Sequence, residues 1–430
     1  MATIKVNTEK TVRAIKPMHS GGQPPLGGSK FTNHFHYLTE AGIPYSRLHD
    51  VGGAFGGSRF VDIPNIFRNF DADENDPANY DFTFTDYLIT ALIEAGVEPY
   101  YRLGITIENQ AYVKTYHTDP PKDYEKWARI CEHIIMHYNA GWANGFRYNI
   151  TYWEIWNEPD NIFVTPSELW SGTPEDYYRL YDVAAKHLKK RFPDIKIGGY
   201  SSWGFPAITE KNSTESDKHQ YVLKFFLDFV KYVSEHSSPI DFFSWHSYYP
   251  VKTTVIWEEF VRTTLEKHGL GHIENHLTEW CPFPDQYGTA KQSAEIAAMM
   301  IAMQNRSPSI LCIYDMRSKA GLYCPFFDLK VKPIQGYYSM VAFNQLYKLG
   351  NQTELSVDTE ELYALCATDG RKCALLIVNL TGETQALAIE GVDLADARVS
   401  VIDDNRLLSW APDANTIENN VVILVEWRIQ

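Results

Sequence analysis

The most informative part of the chain is Tyr152-Trp-Glu-Ile-Trp-Asn-Glu-Pro-Asp160. Its aromatic and β-branched residues predict a strand over about 151 to 158. Pro159 has no backbone N–H with which to continue a sheet ladder, so the strand is expected to end in the pair Asn157-Glu158. Glu154 has the same strand parity as Glu158 and is predicted to lie deeper in the interior, where a carboxylate needs a partner.

A second short strand, in His276-Leu-Thr-Glu279-Trp280, also ends in an acid. Glu279 follows Glu158 by 121 residues. This spacing leaves room for three strand-plus-helix units of about 40 residues each. We therefore expect both glutamates to stand at the same end of parallel strands, three strands apart.

The segment from 12 to 348 alternates strand-like and helix-like runs, which is typical of parallel βαβ units. One helix is predicted to begin at Thr173, a favourable N-cap residue followed by Pro174, and to end before Pro193. Eight strands and their helices predict an α/β fold, a (β/α)8 TIM barrel, with the glutamates on strands four and seven. The eight predicted strands lie near 13 to 19, 44 to 49, 98 to 104, 151 to 158, 195 to 201, 241 to 248, 275 to 280 and 309 to 316.

The pattern changes in residues 349–430, where short strands follow one another with no helix between them. These strands predict a small C-terminal antiparallel β-sandwich, joined by a strand from residues 1–11. Its predicted strands are Leu362 to Thr368, Cys373 to Leu380, Thr384 to Ile389, Arg398 to Ile402 and Val421 to Trp427.

Composition narrows the choice of partners. The formal charge of −15 makes nucleic acid a poor partner, because an acidic surface repels phosphate backbones. No run approaches the roughly 18 apolar residues of a membrane helix, so no membrane association is expected. The cysteines have neither CxxC nor zinc-site spacing, and we expect no metal and no organic cofactor. The first residues lack the apolar core of a secretory signal, which favours the cytoplasm.

The chain has 11 Trp, 27 Tyr and 22 Phe, many of them near predicted strand ends. Flat apolar faces at a barrel mouth suit a sugar-binding site. The residues expected there are Tyr45, Tyr100, Tyr101, Trp153, Trp156, Trp245, Tyr248, Tyr249, Trp280 and Tyr314.

Two carboxylates facing one another across a pocket are what glycoside hydrolysis requires. One protonates the leaving oxygen, and the other attacks the anomeric carbon, with a separation of about 5 Å for retention of configuration. Glu158, beside Asn157 and aromatic residues, is the better candidate for the acid/base, and Glu279 for the nucleophile.

The two glutamate motifs resemble those of the retaining hydrolases that carry catalytic glutamates on barrel strands four and seven. Within that clan the chain resembles glycoside hydrolase family 39, which includes β-xylosidases and α-L-iduronidase. Three further segments carry the resemblance: Tyr80-Asp-Phe-Thr-Phe-Thr-Asp86, Pro120-Pro-Lys-Asp-Tyr-Glu-Lys-Trp127 and Ile240-Asp-Phe-Phe-Ser-Trp-His-Ser-Tyr248.

The resemblance implies roles for individual residues. Glu158 matches the acid/base, Glu279 the nucleophile, and Asn157 the residue that holds the sugar 2-hydroxyl. Binding of the sugar ring is implied for His49, while His246 and Tyr248 match residues near the nucleophile. Trp280 is also expected to contact the substrate.

The sequence departs from the xylosidase pattern at the end of strand eight. An aromatic platform is expected there, but this chain has Tyr314-Asp-Met-Arg317-Ser-Lys319. Asp315, Arg317 and Lys319 are predicted either to bind substrate hydroxyls or a carboxylate, or to be solvated loop charges that pair with each other. A glycine-rich loop, Gly52–Gly57, has no nucleotide-binding spacing and is interpreted as lining the pocket mouth.

The sequence thus predicts a retaining exo-acting glycosidase, most similar to β-xylosidases, which hydrolyses an oligosaccharide or a glycoside. One alternative is an iduronidase-like or arabinose-releasing specificity. Another is a carbohydrate-binding barrel without catalysis, against which the presence of both glutamates argues. Nothing in the sequence counts subunits, and a homo-oligomer is compatible with it.

Overall fold

The protein is represented by a computed structural model, which describes residues 1–27, 32–49, 51, 61–106, 118–163, 169–210 and 213–429. The predicted Gly52–Gly57 loop lies outside these described residues. The strands are β1 Ala2–Ala14, β2 Ser20–Gly22, β3 Tyr45–Leu48, β4 Glu98–Leu103, β5 Tyr152–Ile155, β6 Lys196–Ser202, β7 Phe242–Ser247, β8 Glu274–Trp280, β9 Pro308–Ile313, β10 Asn351–Val357, β11 Leu362–Thr368, β12 Lys372–Asn379, β13 Gln385–Glu390, β14 Arg398–Ile402, β15 Ser409–Ala411, β16 Thr416–Ile417 and β17 Val422–Arg428.

The helices of the described segments lie between the barrel strands, apart from the last, which leads into the C-terminal sheet. They are α1 His36–Ala41, α2 Ile63–Ile66, α3 Thr83–Glu94, α4 Tyr124–Asn139, α5 Pro174–Arg191, α6 Pro206–Thr209, α7 Ser216–His236, α8 Val251–Lys267, α9 Ala290–Gln304 and α10 Gln335–Leu349. Short 3-10 helices occupy Pro77–Asn79 and Trp142–Asn144. None of these helices is both long enough and apolar enough to cross a membrane.

Strands β2 to β9 form a closed parallel barrel in chain order, which confirms the predicted (β/α)8 fold. Strands two to eight of the barrel begin within about one residue of their predicted starts. The helix predicted after Thr173 is present as α5, and Thr173 and Asp176 form a capping box at its start. Glu158 therefore lies just after the fourth barrel strand, and Glu279 is the penultimate residue of the seventh.

The prediction for the first barrel strand, residues 13 to 19, was wrong. That strand is Ser20–Gly22, and residues 13 and 14 are the end of β1, which belongs to the C-terminal sheet. Ser-Gly-Gly carries no β-branched or aromatic signal. Glycine is needed at position 21, because a Cβ there would lie 2.5 Å from the Met316 sulfur.

The fourth strand is shorter than predicted and ends at Ile155, so Glu158 stands on a turn and not on the strand itself. Trp156 and Glu158 both adopt the left-handed backbone region, with φ of 73° and 43°. This conformation costs a residue other than glycine about 1 kcal/mol. The backbone N–H of Glu158 is held by the carbonyl oxygens of Tyr200 and Ser201, at 3.2 and 3.1 Å. The turn is thus fixed by the neighbouring strand β6.

The C-terminal strands form one curled nine-stranded sheet in the order β15-β14-β17-β12-β11-β10-β1-β13-β16. Its pairs are antiparallel except for β1 with β13, which run parallel. One face packs on α9 and α10 and shares the barrel core through residues such as Leu376 and Leu424. The other face encloses a core of its own, which contains Ile4, Leu375 and Val425. The N-terminal strand thus joins the sheet through two partners that lie more than 330 residues away in sequence.

Candidate active site

A pocket of about 550 Å³ opens where the barrel strands end. Its size is typical of a small-molecule site. Residues lining it include both glutamates, His49, Asn157, Tyr248 and Arg317. A larger cavity of about 700 Å³ lies against the C-terminal sheet, but neither glutamate reaches it. The barrel pocket is therefore the candidate active site.

Glu279 is held from two sides. The Arg47 guanidinium donates to its Oε1 at 2.7 Å, and the Tyr248 hydroxyl donates to its Oε2 at 2.5 Å. His49 Nε2 lies 3.8 Å from Oε1. The carboxylate is only 4% exposed, and charge-assisted hydrogen bonds of this kind favour its ionised form. These contacts suit a group that must act as an anion.

Glu158 has a different environment. His246 Nδ1 lies 2.6 Å from its Oε1, and the Asn161 side chain donates to its Oε2 at 2.8 Å. His246 also lies 3.6 Å from Glu279, so its imidazole bridges the two carboxylates. The 2.6 Å contact between His246 and Glu158 is a hydrogen bond, so one of these two groups carries the proton that joins them.

Arg47 is the residue that the sequence reading did not assign to the site. Besides Glu279 it binds Glu154 at 2.7 Å, Asn157 at 2.5 Å and Ser201 at 2.9 Å. The interior pairing predicted for Glu154 is thereby confirmed. Burial by itself would lower the pKa of Arg47, but the charges of Glu154 and Glu279 outweigh it and raise that pKa. The sequence did contain a signal for this role. Arg47 has the same strand parity as His49, so its side chain must point into the barrel, where a buried guanidinium needs carboxylates as partners.

Burial is the main influence on the pKa of Tyr248. It raises the pKa of the phenol well above its usual value, and the neighbouring charge of Glu279 raises it further. Tyr248 therefore stays a neutral donor. Tyr314 and Tyr323 lie edge-on to it, with ring centroids 6.1 and 5.1 Å away. Together these three tyrosines form one wall of the pocket.

Three residues predicted to bind substrate, His246, Trp280 and Asp315, are not among those that line the pocket. His246 is fully buried, although it lies against both glutamates. Trp280 is fully buried in the main core, because neighbouring strand residues point to opposite faces and Glu279 takes the inward direction. Asp315 is also fully buried. It accepts from Arg317 Nε at 2.8 Å and from the Arg317 backbone N–H at 3.0 Å. Burial raises the pKa of Asp315, and Arg317 opposes this shift.

Arg317 itself does line the pocket, but its charge is matched by Asp315. Of the two interpretations that the sequence left open, pairing between these side chains is the one observed. Lys319, two residues further on, is exposed and belongs to the same wall.

Most of the aromatic residues expected at the mouth are packed elsewhere. Tyr248, Tyr249 and Tyr314 line the pocket, whereas Tyr100 stacks at the opposite end of the barrel with Tyr152. Tyr101 and the remaining tryptophans of that set are fully or almost fully buried in the main core. Strand position alone did not separate inward-facing rings from those that face the helices.

Glu158, His246 and Glu279 also offer one ligand atom each within 4.8 Å of one another. A carboxylate–imidazole set of this kind could hold a divalent cation. Arg47 and Tyr248, however, already donate to the two oxygens of Glu279. A fixed guanidinium at 2.7 Å opposes a cation at the same carboxylate.

Comparison with known proteins places this geometry in a family. The model of the glycosyl hydrolases family 39 matches residues 30–293, more than half of the chain, and the match includes both glutamates. The chain belongs to this family. Among curated relatives, a β-xylosidase of Geobacillus stearothermophilus is 24% identical over 307 residues, which cover 63% of this chain and 54% of that protein. A β-xylosidase of Caldicellulosiruptor saccharolyticus is 28% identical over 257 residues, covering 58% and 46%.

The chain thus spans about half the length of the curated relatives it matches. Among solved structures, a glucosidase from Croceicoccus marinus superposes with a TM-score of 0.76 at 19% identity. The superposition covers 100% of this chain and 99% of the glucosidase. At this identity the likeness concerns the fold, and it extends over barrel and sheet together.

Proposed function

We propose that the chain is a retaining, exo-acting glycosidase of the β-xylosidase type, with Glu158 as acid/base and Glu279 as nucleophile. The observation that carries the proposal is the close approach of the two carboxylates, which place oxygens within 4.8 Å of each other. Inverting enzymes need about 6.5 to 9.5 Å between the carboxyl groups to admit a water, whereas retaining enzymes need about 5 to 5.5 Å. The choice of sugar rests on the β-xylosidases among the relatives.

The proposed reaction has two displacements. Glu279 attacks the anomeric carbon while Glu158 gives its proton to the glycosidic oxygen, so that the bond to the leaving group breaks and a glycosyl ester forms. A water then enters, loses a proton to Glu158 and attacks the same carbon, and Glu279 leaves as a carboxylate. Asn157, held by Arg47, is the proposed donor to the sugar 2-hydroxyl.

A glycone with its own carboxylate is the less favoured candidate. Such a sugar needs an unmatched cation held in the pocket. Arg317 is neutralised by Asp315 at 2.6 Å, and Lys319, the other cation of that wall, is exposed, so that solvent screens its charge. Replacing a neutral sugar hydroxymethyl group or hydrogen by a carboxylate would set a second negative charge near the ionised Glu279. We therefore expect neutral pentosides to be hydrolysed faster than uronides by the same protein.

The two glutamates are distinguished by azide rescue of glycine and alanine variants. Glu279→Gly should lose turnover and form, with azide, a glycosyl azide of configuration opposite to that of the substrate. Glu158→Ala should lower kcat/KM about 10²- to 10⁴-fold for poor leaving groups and much less for activated aryl glycosides. Its azide product should keep the substrate configuration.

The measurement is NMR of the first-formed products, starting from a panel of nitrophenyl pentosides, hexosides and uronides. The wild type should release a sugar of unchanged anomeric configuration. An inverted first product would refute the double displacement. Exchange of the two azide outcomes would reverse the roles of the glutamates, and a folded wild type inactive on the whole panel would favour a binding barrel.

A further inference from the structure

An aromatic stack stands beside the acid/base and has no part in the reaction as described above. Trp203 follows strand β6 directly, is half-buried and belongs to the pocket wall. The Phe163 ring lies parallel to it, with centroids 3.9 Å apart and an interplanar angle of 20°. His219 of α7 adjoins both rings, at 5.7 Å from Phe163 and 6.2 Å from Trp203. One face of the indole is thus covered by the Phe163 ring, while the half-buried side chain still contributes to the pocket wall.

The backbone at Trp203 is fixed by a buried acid. The Asp160 carboxylate accepts from the Ser202 hydroxyl at 2.7 Å and from the Trp203 N–H at 3.1 Å. Asp160 is fully buried, two residues after Glu158 on the same turn. The acid/base and the indole are therefore parts of one rigid unit, and their separation does not depend on a long loop.

Trp203 lies on the side from which a leaving group departs. Glu158 must protonate the glycosidic oxygen, so the leaving group stands on its side of the pocket. Glu158 follows strand β5 and Trp203 follows strand β6, and these two strands are neighbours in the barrel. His49, for which binding of the glycone is implied, follows β3 on the other side of β5 and stands 3.8 Å from Glu279.

We infer that Trp203 is the platform on which the leaving group stacks, and that the protein selects glycosides whose leaving group is a ring, either a pyranose or an aryl group. This inference rests on the proposed function. A flat indole matches the apolar C–H face of a pyranose or an aryl ring. A wall made of a half-buried Trp supported by Phe is rigid, and little entropy is lost when a ring binds to it.

The test compares two substrates that share the sugar and differ in the leaving group. Xylobiose carries a pyranose, whereas β-xylosyl fluoride carries a single atom that cannot reach the indole. Trp203→Ala should lower kcat/KM for xylobiose about tenfold, which corresponds to about 1.4 kcal/mol, and change that for the fluoride by less than about twofold. Trp203→Phe should restore much of the xylobiose activity. Trp410→Ala, which removes a 70%-exposed indole from β15, should change neither value.

The outcomes of this experiment distinguish failure of the inference about Trp203 from failure of the proposed glycosidase function. Equal falls on both substrates would make Trp203 a structural residue and overturn the inference, as would unchanged activity on both. A wild type that hydrolyses neither substrate would overturn the proposed xylosidase function and the inference with it. If circular dichroism shows that Trp203→Ala is unfolded, Trp203→Leu, which keeps apolar volume but has no flat ring, serves as the test, and a fall confined to xylobiose is again required.

Discussion

At the residue scale, the site depends on one cation shared by two acids. Arg47 is 1% exposed and connects the interior acid Glu154 with the proposed nucleophile Glu279. Breaking a buried pair by removing one partner costs about 3 to 5 kcal/mol, because the remaining charge is left uncompensated. The pKa of Glu154 reflects the same balance, since burial would raise it and Arg47 lowers it. We therefore expect substitution of Arg47 to lower both the stability and the activity of the protein.

Tyr248→Phe separates the effects on stability and activity, because it removes only the hydroxyl that binds Glu279 Oε2. A hydrogen bond to a charged group contributes about 1.5 to 3 kcal/mol, so we expect kcat/KM to fall about 10- to 100-fold. The ionised carboxylate loses a donor that stabilises it, and the acid limb of the pH profile of kcat/KM should move to higher pH.

The control for this change is Tyr178→Phe, which removes a buried hydroxyl bound to the Phe225 carbonyl in the helical layer. It should lower stability slightly and leave the pH profile in place. An unchanged acid limb in Tyr248→Phe, with activity reduced, would contradict the role given to the hydroxyl.

Independence from metal ions is expected from the contacts of Glu279. Arg47 and Tyr248 already neutralise and bind the carboxylate that a cation would need. Dialysis against EDTA should therefore leave kcat/KM within about twofold of its starting value, which corresponds to less than about 0.5 kcal/mol. Loss of activity that a divalent cation restores would instead assign a metal to Glu158, His246 and Glu279.

At the element scale, barrel strand β2 is formed by small residues and is held by close packing. Gly21→Ala would place a Cβ 2.5 Å from Met316 Sδ, and overpacking of this kind costs about 1 to 3 kcal/mol. Gly22→Ala is the matched control, because the nearest atoms to its Cβ would lie 3.8 Å away. Urea unfolding should show a lower midpoint for Gly21→Ala than for Gly22→Ala. Equal midpoints would show that Met316 moves aside freely.

The same strand shows where sequence reasoning succeeds and fails. Strands with aromatic or β-branched residues, such as β5 and β7, were placed within a residue or two at their starts, because their side chains both favour extended backbone and fill the core. β2 carries no such side chains. Its place is determined by the hydrogen bonds of its neighbours β3 and β9, which a local pattern does not contain.

In the site, strand-end positions and motifs in the sequence were enough to predict some of the pocket residues. Glu158, Glu279 and Asn157 could be read from strand ends and motifs. Trp203 could not, because its place in the pocket depends on the position of β6 beside β5 and on the hydrogen bonds of Asp160. Trp280 was misplaced because the inward direction belongs to its neighbour Glu279.

At the scale of the whole molecule, barrel and C-terminal sheet share a core. Leu376 of β12 belongs to the core shared with the barrel, while its neighbour Leu375 belongs to the core within the sheet, and both are fully buried. Replacing either by Ala should cost about 2 to 5 kcal/mol. If the two parts unfold as one unit, both variants should lose activity and far-UV circular dichroism at the same lowered temperature.

If the barrel and the C-terminal sheet unfolded independently, the two variants would give different melting curves. Leu375→Ala would then melt the sheet first and leave an active barrel, so that activity and circular dichroism would fall at different temperatures. The shared core predicts coincidence of the two curves for both variants.

The N-terminal strand has a consequence for biosynthesis. β1 emerges from the ribosome well before its partners β10 and β13, which begin only at Asn351 and Gln385. At translation rates of about 5 to 20 residues per second, β1 waits on the order of 20 to 70 s before either can pair with it. During that time it is a 13-residue strand with both edges open, which is a template for pairing between nascent chains. Slower synthesis should therefore lower the soluble yield unless a chaperone covers this strand.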